Sequence, residues 1–295
     1  MYDIMAYEEA SCIEEAIKLL VANPNATLIS GGSDVLIKLH EGRMQDAHLI
    51  SIHGIKELSG VSMLEDGTIV IGAGTSFSKI SKHPIVQQFI PVLGEAVDMI
   101  GGPQIRNIGT IGGNICNGVT SADSASTLFA FNARLEVQGP DGIRTVLIKE
   151  FYKGPGKVDL QHEEILTAIF ITPDNYRGYG GHYIKYAMRN AMDIATLGCV
   201  ALCKVRGIDQ IEDFRLALGV AAPVPVRCTE TEQLIKGEIF TEELLKKVGK
   251  TALKEVNPRT SWRASKDFRL QLVEELSKRA FRQAFKNAGG EQKCN

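Results

Sequence analysis

The stretch from Gly101 to Asp123, GGPQIRNIGTIGGNICNGVTSAD, restricts the fold more than any other part of the chain. It holds six glycines in 23 residues, yet Ile105, Ile108, Ile111 and Ile115 recur too often for a free linker. Glycine supplies backbone without a side chain, so such a segment suits close approach to a ligand. Within it, Thr110, Ile111, Gly112, Gly113 and Asn114 read as a concave nest whose N–H groups point at one anion. An upstream segment has the same character: Leu28, Ile29, Ser30, Gly31, Gly32, Ser33, Asp34 and Val35. There a strand over 26–30 meets two glycines and then a short helix that Ser33 or Asp34 can cap, an arrangement that binds pyrophosphate at a helix start. Taken alone it reads equally well as a plain tight turn. Together the two bends are expected to hold one phosphate-containing cofactor.

A chain of 295 residues has room for one large or two medium domains and a real core. Lys plus Arg is 33 against 35 for Asp plus Glu, with no basic block, so a nucleic-acid partner has no electrostatic support. No apolar run reaches membrane-spanning length, and the start MYDIMAYEEAS lacks the charged-then-apolar layout of a signal. A cytoplasmic location is therefore expected. The six cysteines (Cys12, Cys116, Cys199, Cys203, Cys228, Cys294) include no CxxC pair, and Cys199 and Cys203 have no companion set for a metal. They read as small buried hydrophobes in a reducing compartment, with neither zinc nor an iron–sulfur cluster in this chain.

Periodicity places the other elements. Ser11 to Glu14 has capping-box spacing, and Ile13, Ala16, Ile17 and Leu20 follow at helical period, predicting a helix over 11–22. A strand is expected over 48–52, and Asp66-Gly67 predicts a hairpin between 61–64 and 68–71. Gly72-Ala-Gly74-Thr-Ser-Phe77 invites a dinucleotide-fold reading, but Phe77 stands where the third glycine belongs, so that reading is rejected. Helical patterns cover 77–80, 85–89, 92–100 and 124–131, the last with Ser121 or Asp123 as its cap. Strands are expected over 134–138, 144–148 and 165–171. The polar segment 174–181 is the expected boundary, dividing the chain into residues 1–175 and 176–295. Beyond it come a meander over 183–188, 196–205 and 214–220, a helix capped by Thr241, and a long helix over 267–288 with a solvated polar face.

Catalytic machinery is sparse. GxSxG is absent, and His48, His53, His83 and His162 stand isolated. Asp123 follows the glycine bends and suits hydrogen bonds from ribityl or ribose hydroxyls as well as a capping role. Anion-binding bends without acid–base groups point to a carrier whose cofactor does the chemistry.

Ser30-Gly-Gly-Ser-Asp34, Pro103-Gln-Ile-Arg-Asn107, Thr110-Ile-Gly-Gly-Asn114, Thr120-Ser-Ala-Asp123 and Ser261-Trp-Arg-Ala-Ser265 carry a family resemblance. Over essentially its whole length the chain resembles the FAD-binding subunits of bacterial molybdenum hydroxylases, on the xanthine dehydrogenase side of that family. The resemblance implies an α+β fold: a vanillyl-alcohol-oxidase-like (PCMH-type) FAD-binding domain of two subdomains, about 1–55 and 56–175, then a smaller α/β C-terminal domain. It implies non-covalent FAD wrapped by residues 28–35 and 110–114, with Asp123 on a flavin-side hydroxyl. Ile165 and Leu166 would line the adenine end, Ile184 and Lys185 the isoalloxazine, and the loop 189–193 would lie beside the ring. Ile100 stands where some eukaryotic relatives carry phenylalanine against that ring. No cysteine insertion for an extra cluster is present.

The resemblance also implies partners: a molybdopterin-bearing subunit and a small subunit with 2Fe-2S clusters, assembled as a dimer of heterotrimers. Electrons would pass from those clusters through FAD to NAD+. Rival readings are a hydroxylase subunit for another heterocycle, aldehyde or CO; a stand-alone FAD oxidase, with Cys116 the nearest residue for a covalent tether; and a nucleotide-binding module.

Overall fold

The computed structural model describes residues 3–291. Cys294, read above as a buried thiol, lies outside the described residues.

The first layer follows from short apolar runs broken by polar turns. β1 (Ile4–Glu9), α1 (Ile13–Ala22), β2 (Thr27–Ile29), α2 (Val35–His40) and β3 (Ala47–Ser51) form a parallel sheet of order β1-β3-β2. The capping box at Ser11 is displaced by one residue. Cys12 occupies the N-cap without a side-chain bond, while Ser11 donates its N–H and Oγ–H to Glu15 at 2.7 and 2.5 Å. Only half of the box survives: the acid, one residue further along than expected, accepts from Ser11, and no side chain caps a first-turn N–H of α1.

The second layer opens with β4 (Val61–Met63) and β5 (Ile69–Gly72), the hairpin that Asp66-Gly67 predicts. Short helices follow: α3 (Phe77–Lys82), α4 (Pro84–Phe89), α5 (Pro91–Asp98), α6 (Pro103–Ile108), α7 (Ile111–Cys116) and α8 (Asp123–Ala130). Proline stands at the first position of α4, α5 and α6, where its missing N–H costs nothing. β6 (Arg134–Gly139), β7 (Gly142–Leu147), α9 (Ile148–Phe151), β8 (Tyr152–Gly154), β9 (Lys157–Val158) and β10 (Ile165–Ile171) complete it. The antiparallel order is β4-β5-β10-β6-β7, so β10 is central and covered on both faces, which explains a run that is apolar but for Thr167. The glycines of the rejected dinucleotide pattern serve packing: a Cβ at Gly72 would lie 2.4 Å from the Leu58 carbonyl oxygen.

The third layer is the antiparallel sheet β11 (Tyr179–Tyr186), β12 (Leu197–Arg206), β13 (Gln210–Gly219) and β14 (Val226–Arg227). α10 (Thr229–Ile235), α11 (Glu242–Ala252) and α12 (Lys266–Asn287) follow. Thr241 caps α11, accepting from Leu244 N–H at 3.1 Å, and Ser265 caps α12. β12 is covered on both faces. Val200 and Leu202 join the apolar cluster of the second layer, whereas Cys199, Ala201 and Cys203 join that of α11 and α12. Alternation along one strand thus welds the two halves, and apolar contact runs across the boundary expected near residue 175.

Candidate functional site

The two glycine-rich bends meet. A Cβ placed on Gly31 would lie 2.0 Å from the Ile108 carbonyl oxygen and 2.9 Å from Gly109 Cα, so only glycine permits this approach. The contact is clasped from the side by Asn117, whose amide donates to Asp34 Oδ1 at 3.0 Å. That bond gives Asp34 an assignment other than capping: it stands at the N-cap of α2 without a side-chain cap bond.

The amides of the two bends have different fates. The N–H groups of Gly31, Gly32, Ser33 and Asp34 find no acceptor among the described residues. Gly32 takes a left-handed conformation, φ 72°, which turns successive amides toward one side, as in an anion nest. In the downstream bend the amides from Ile111 to Asn114 are already used, and only that of Thr110 finds no acceptor among the described residues. Ile111 N–H donates to Thr75 O, Gly112 to Ala73 O, Gly113 to Thr110 Oγ1 at 3.2 Å, and Asn114 to Thr110 O. The nest expected over 110–114 is instead the capped first turn of α7. Gly112 is a packing glycine, since its Cβ would fall 2.6 Å from Ala73 Cβ. Gly113 is exposed and Asn114 half-buried, its Oδ1 accepting from Ser124 Oγ at 2.7 Å.

Asp123 opens α8 but caps nothing: Ala122 is the N-cap, and the carboxylate turns to β11. Tyr183 Oη donates to Oδ1 at 2.6 Å, and Lys185 Nζ donates to Oδ2 at 2.9 Å and to the Met99 carbonyl at 2.9 Å. The Lys185 and Asp123 side chains are only 8% and 6% exposed, so they form a buried ion pair. Burial pushes the Asp123 carboxyl above its ordinary value, and Lys185 and Tyr183 oppose that shift by holding the anion. Tyr183 is pushed well up by burial and by the Asp123 charge, which keeps its hydroxyl a donor.

The remaining expected contacts divide. Leu28 and Ile29 point to opposite faces of β2: Leu28 packs on the cluster containing Ile50 and Ile165, and Ile29 and Val35 pack on Leu39 and Leu49. Ile165 and Leu166 are 1% and 4% exposed, with side chains spent in the core. β5 pairs with β10 only over Ala168–Ile171, so the edge of the strand at 165 and 166 is not laddered on that side. Ile184 points away from Asp123 into the cluster of α11 and α12, and only Lys185 reaches the carboxylate. In the loop after β11, Arg189 N–H bonds Asp193, and Met192 lies against Gly102, 3.3 Å from a Cβ placed there. The loop therefore abuts the glycine-rich stretch. Ile100 is half-buried against the main core.

Composition and spacing do not single out Tyr183, Ser124 or Asn117 as site residues. Tyr183 had a signal, because it sits two residues from Lys185 on a strand and shares its face. Asn117 had none, since its partner is 83 positions away.

These parts fit a pyrophosphate-bearing dinucleotide. Four unpartnered backbone donors suit a diphosphate, and a buried carboxylate fixed as an anion suits polyol hydroxyls. Cys116 is a poor tether, for burial pushes its thiol up to about 12 and leaves it neutral. No group of metal-ligating side chains occurs among the described residues, nor is any described helix long and apolar enough to cross a membrane.

Comparison with known proteins agrees with this geometry. Residues 3–173 match the family model for the FAD binding domain in molybdopterin dehydrogenase, and 182–284 match the CO dehydrogenase flavoprotein C-terminal domain. The chain is 44% identical over 290 residues to the xanthine dehydrogenase FAD-binding subunit of Escherichia coli O157:H7, covering 98% of this chain and 99% of that one. It is 31% identical to the glyceraldehyde dehydrogenase medium chain of Sulfolobus acidocaldarius, covering 94% and 97%. A solved carbon monoxide dehydrogenase from Hydrogenophaga pseudoflava superposes with a TM-score of 0.92 at 30% identity, covering 97% and 99%. The chain belongs to the FAD-binding flavoprotein family of the molybdenum hydroxylases.

Proposed function

We propose that this chain is the FAD-carrying electron-transfer subunit of a multi-subunit molybdenum hydroxylase of the xanthine dehydrogenase type. The observation that carries the reading is that four free amides at 31–34 lie against the glycine-rich stretch, at Ile108, Gly109 and Asn117, whose end bears the buried, charge-paired Asp123. The 44% identity to a xanthine dehydrogenase subunit supports the substrate class of the whole enzyme. In this reading a molybdenum-cofactor subunit and a small 2Fe-2S subunit are the partners, in a dimer of heterotrimers, and NAD+ is the acceptor. Subunits of glyceraldehyde and carbon monoxide dehydrogenases share the fold, so the acceptor and the substrate are tested separately.

Each group has a task in that scheme. Bound FAD supplies reversible two-electron chemistry and hydride exchange with a nicotinamide. The amides of Gly31 to Asp34 hold its diphosphate without bringing extra charge. Asp123 accepts from a polyol hydroxyl, and Tyr183 and Lys185 keep it ionised and oriented. Lys185 also ties the carboxylate to the Met99 carbonyl, fixing the spacing between α5 and β11 where the ring edge would lie. The loop 189–193, whose Met192 lies against Gly102, would stand beside the ring.

Anaerobic titration of the FAD-reconstituted chain with NADH tests the reading. Bleaching of the flavin band is the expected result. A chain that binds no FAD overturns the carrier reading; a chain that binds FAD but is not bleached overturns NAD+ as acceptor. Lys185→Met should leave a yellow protein with weaker FAD retention, because about 3–5 kcal/mol is at stake when one partner of a buried pair is removed.

A further inference from the structure

The Ser261-Trp-Arg-Ala-Ser265 motif takes no part in the site above, yet it adjoins a buried guanidinium that has no ion pair. Arg269, on α12, is 2% exposed. Its guanidinium donates to the Thr196 carbonyl and to Ser261 Oγ, and its Nε has no partner. The Nε of Arg263 is likewise buried and unpartnered, as is Thr196 Oγ1. No ion pair to Arg259, Arg263 or Arg269 occurs among the described residues. Burial lowers the Arg269 pKa first, and the charges of Arg259 and Arg263 lower it further. Three guanidiniums thus gather without a counterion, an arrangement that costs free energy until an anion arrives.

The surface around them is apolar and aromatic. Trp262 is 76% exposed, with the Arg263 guanidinium 4.2 Å over its ring. Tyr186 and Phe268 meet edge to face at 5.8 Å, both partly exposed, and Thr196 N–H donates to Tyr186 O at 2.7 Å. Hydrogen bonds from Tyr186 through buried Thr196 and Arg269 to Ser261 tie the two exposed aromatic patches to one buried guanidinium. Exposed tryptophan, tyrosine and arginine around desolvated charge is the composition of a protein-binding hot spot.

We propose that the face built by Arg259, Trp262, Arg263 and Tyr186 docks an acidic segment of a partner subunit, whose carboxylates neutralise the arginine cluster. Charge selects this occupant: a second copy of this chain would bring the same positive face, and a wholly apolar partner would bury the guanidiniums uncompensated. The loop from Met188 to Met192 joins this face to Gly102, so docking also presses on the segment beside the glycine-rich stretch. The inference rests on the multi-subunit reading above.

Association of the FAD-loaded chain with its purified partner subunits, at low and high salt, tests it. Arg263→Glu should weaken assembly by about a hundredfold and Trp262→Ala by about tenfold, with FAD content and melting temperature unchanged. Arg263→Lys should recover part of the loss, and wild-type association should weaken with salt. Wild-type affinity in Arg263→Glu overturns the docking face while leaving the multi-subunit reading intact. A wild-type chain that meets no partner overturns both. Should Arg263→Glu misfold, Arg263→Gln gives the same readout with the charge merely removed. Inorganic phosphate that stabilises the wild type but not Arg263→Glu, while that variant still assembles, would make this a small-anion site and overturn the docking role.

Discussion

The bend at Ser30–Asp34 and the bend at Thr110–Asn114 look alike in composition and do opposite work. In the first, glycine leaves backbone donors free and lets the chain come up against Ile108. In the second, glycine lets a helix start press against Ala73, and the amides from Ile111 to Asn114 are bonded inside the protein. A glycine pair therefore announces close approach but not what is approached. In the proposed function the free donors of the upstream bend face a ligand, whereas those of the downstream bend are spent on the protein itself.

Substitutions can break that contrast. The largest effect is expected at Gly31→Ala, whose methyl group would sit 2.0 Å from a carbonyl oxygen that cannot move freely. Overpacking of about 2–3 kcal/mol should separate the bends and cut FAD retention by about a hundredfold, read by flavin absorbance after gel filtration. Gly112→Ala should lower the melting temperature by roughly 4–6 °C through its clash with Ala73, yet leave FAD affinity within about threefold. Gly113→Ala, with only Thr110 Oγ1 at 3.0 Å, should leave the melting temperature within about 2 °C. Equal loss of FAD in Gly112→Ala and Gly31→Ala would abolish the division of labour.

Smaller effects sharpen it. Thr110→Val removes the cap on Gly113 N–H and should cost about 1 kcal/mol in denaturant unfolding. Asn117→Ala breaks the clasp to exposed Asp34 and should cost about 0.5 kcal/mol, with FAD affinity lowered less than in any Gly31 variant.

Much of this was legible in the sequence because it is local. The hairpin at Asp66-Gly67, the strand over 165–171 and the Thr241 cap follow from turn chemistry, periodicity and cap preference, and each stands where expected. The bends were visible as glycine clusters. What could not be read was long-range: whether an amide at Gly112 meets a ligand or the Ala73 carbonyl depends on a strand 40 positions earlier. The same holds for Asp123, whose local alternative was a helix cap. The structure replaces that cap with Tyr183 and Lys185, 60 and 62 residues downstream. Ile184 and Lys185 were expected together, but strand alternation sends only one of them to the site.

Amide hydrogen exchange across residues 28–36 and 109–116, with and without FAD, tests the central claim most directly. The account predicts strong new protection of the amides at 31–34 on FAD binding and little change at 111–114, which are already bonded. Protection confined to 111–114, or none at 31–34, would contradict it.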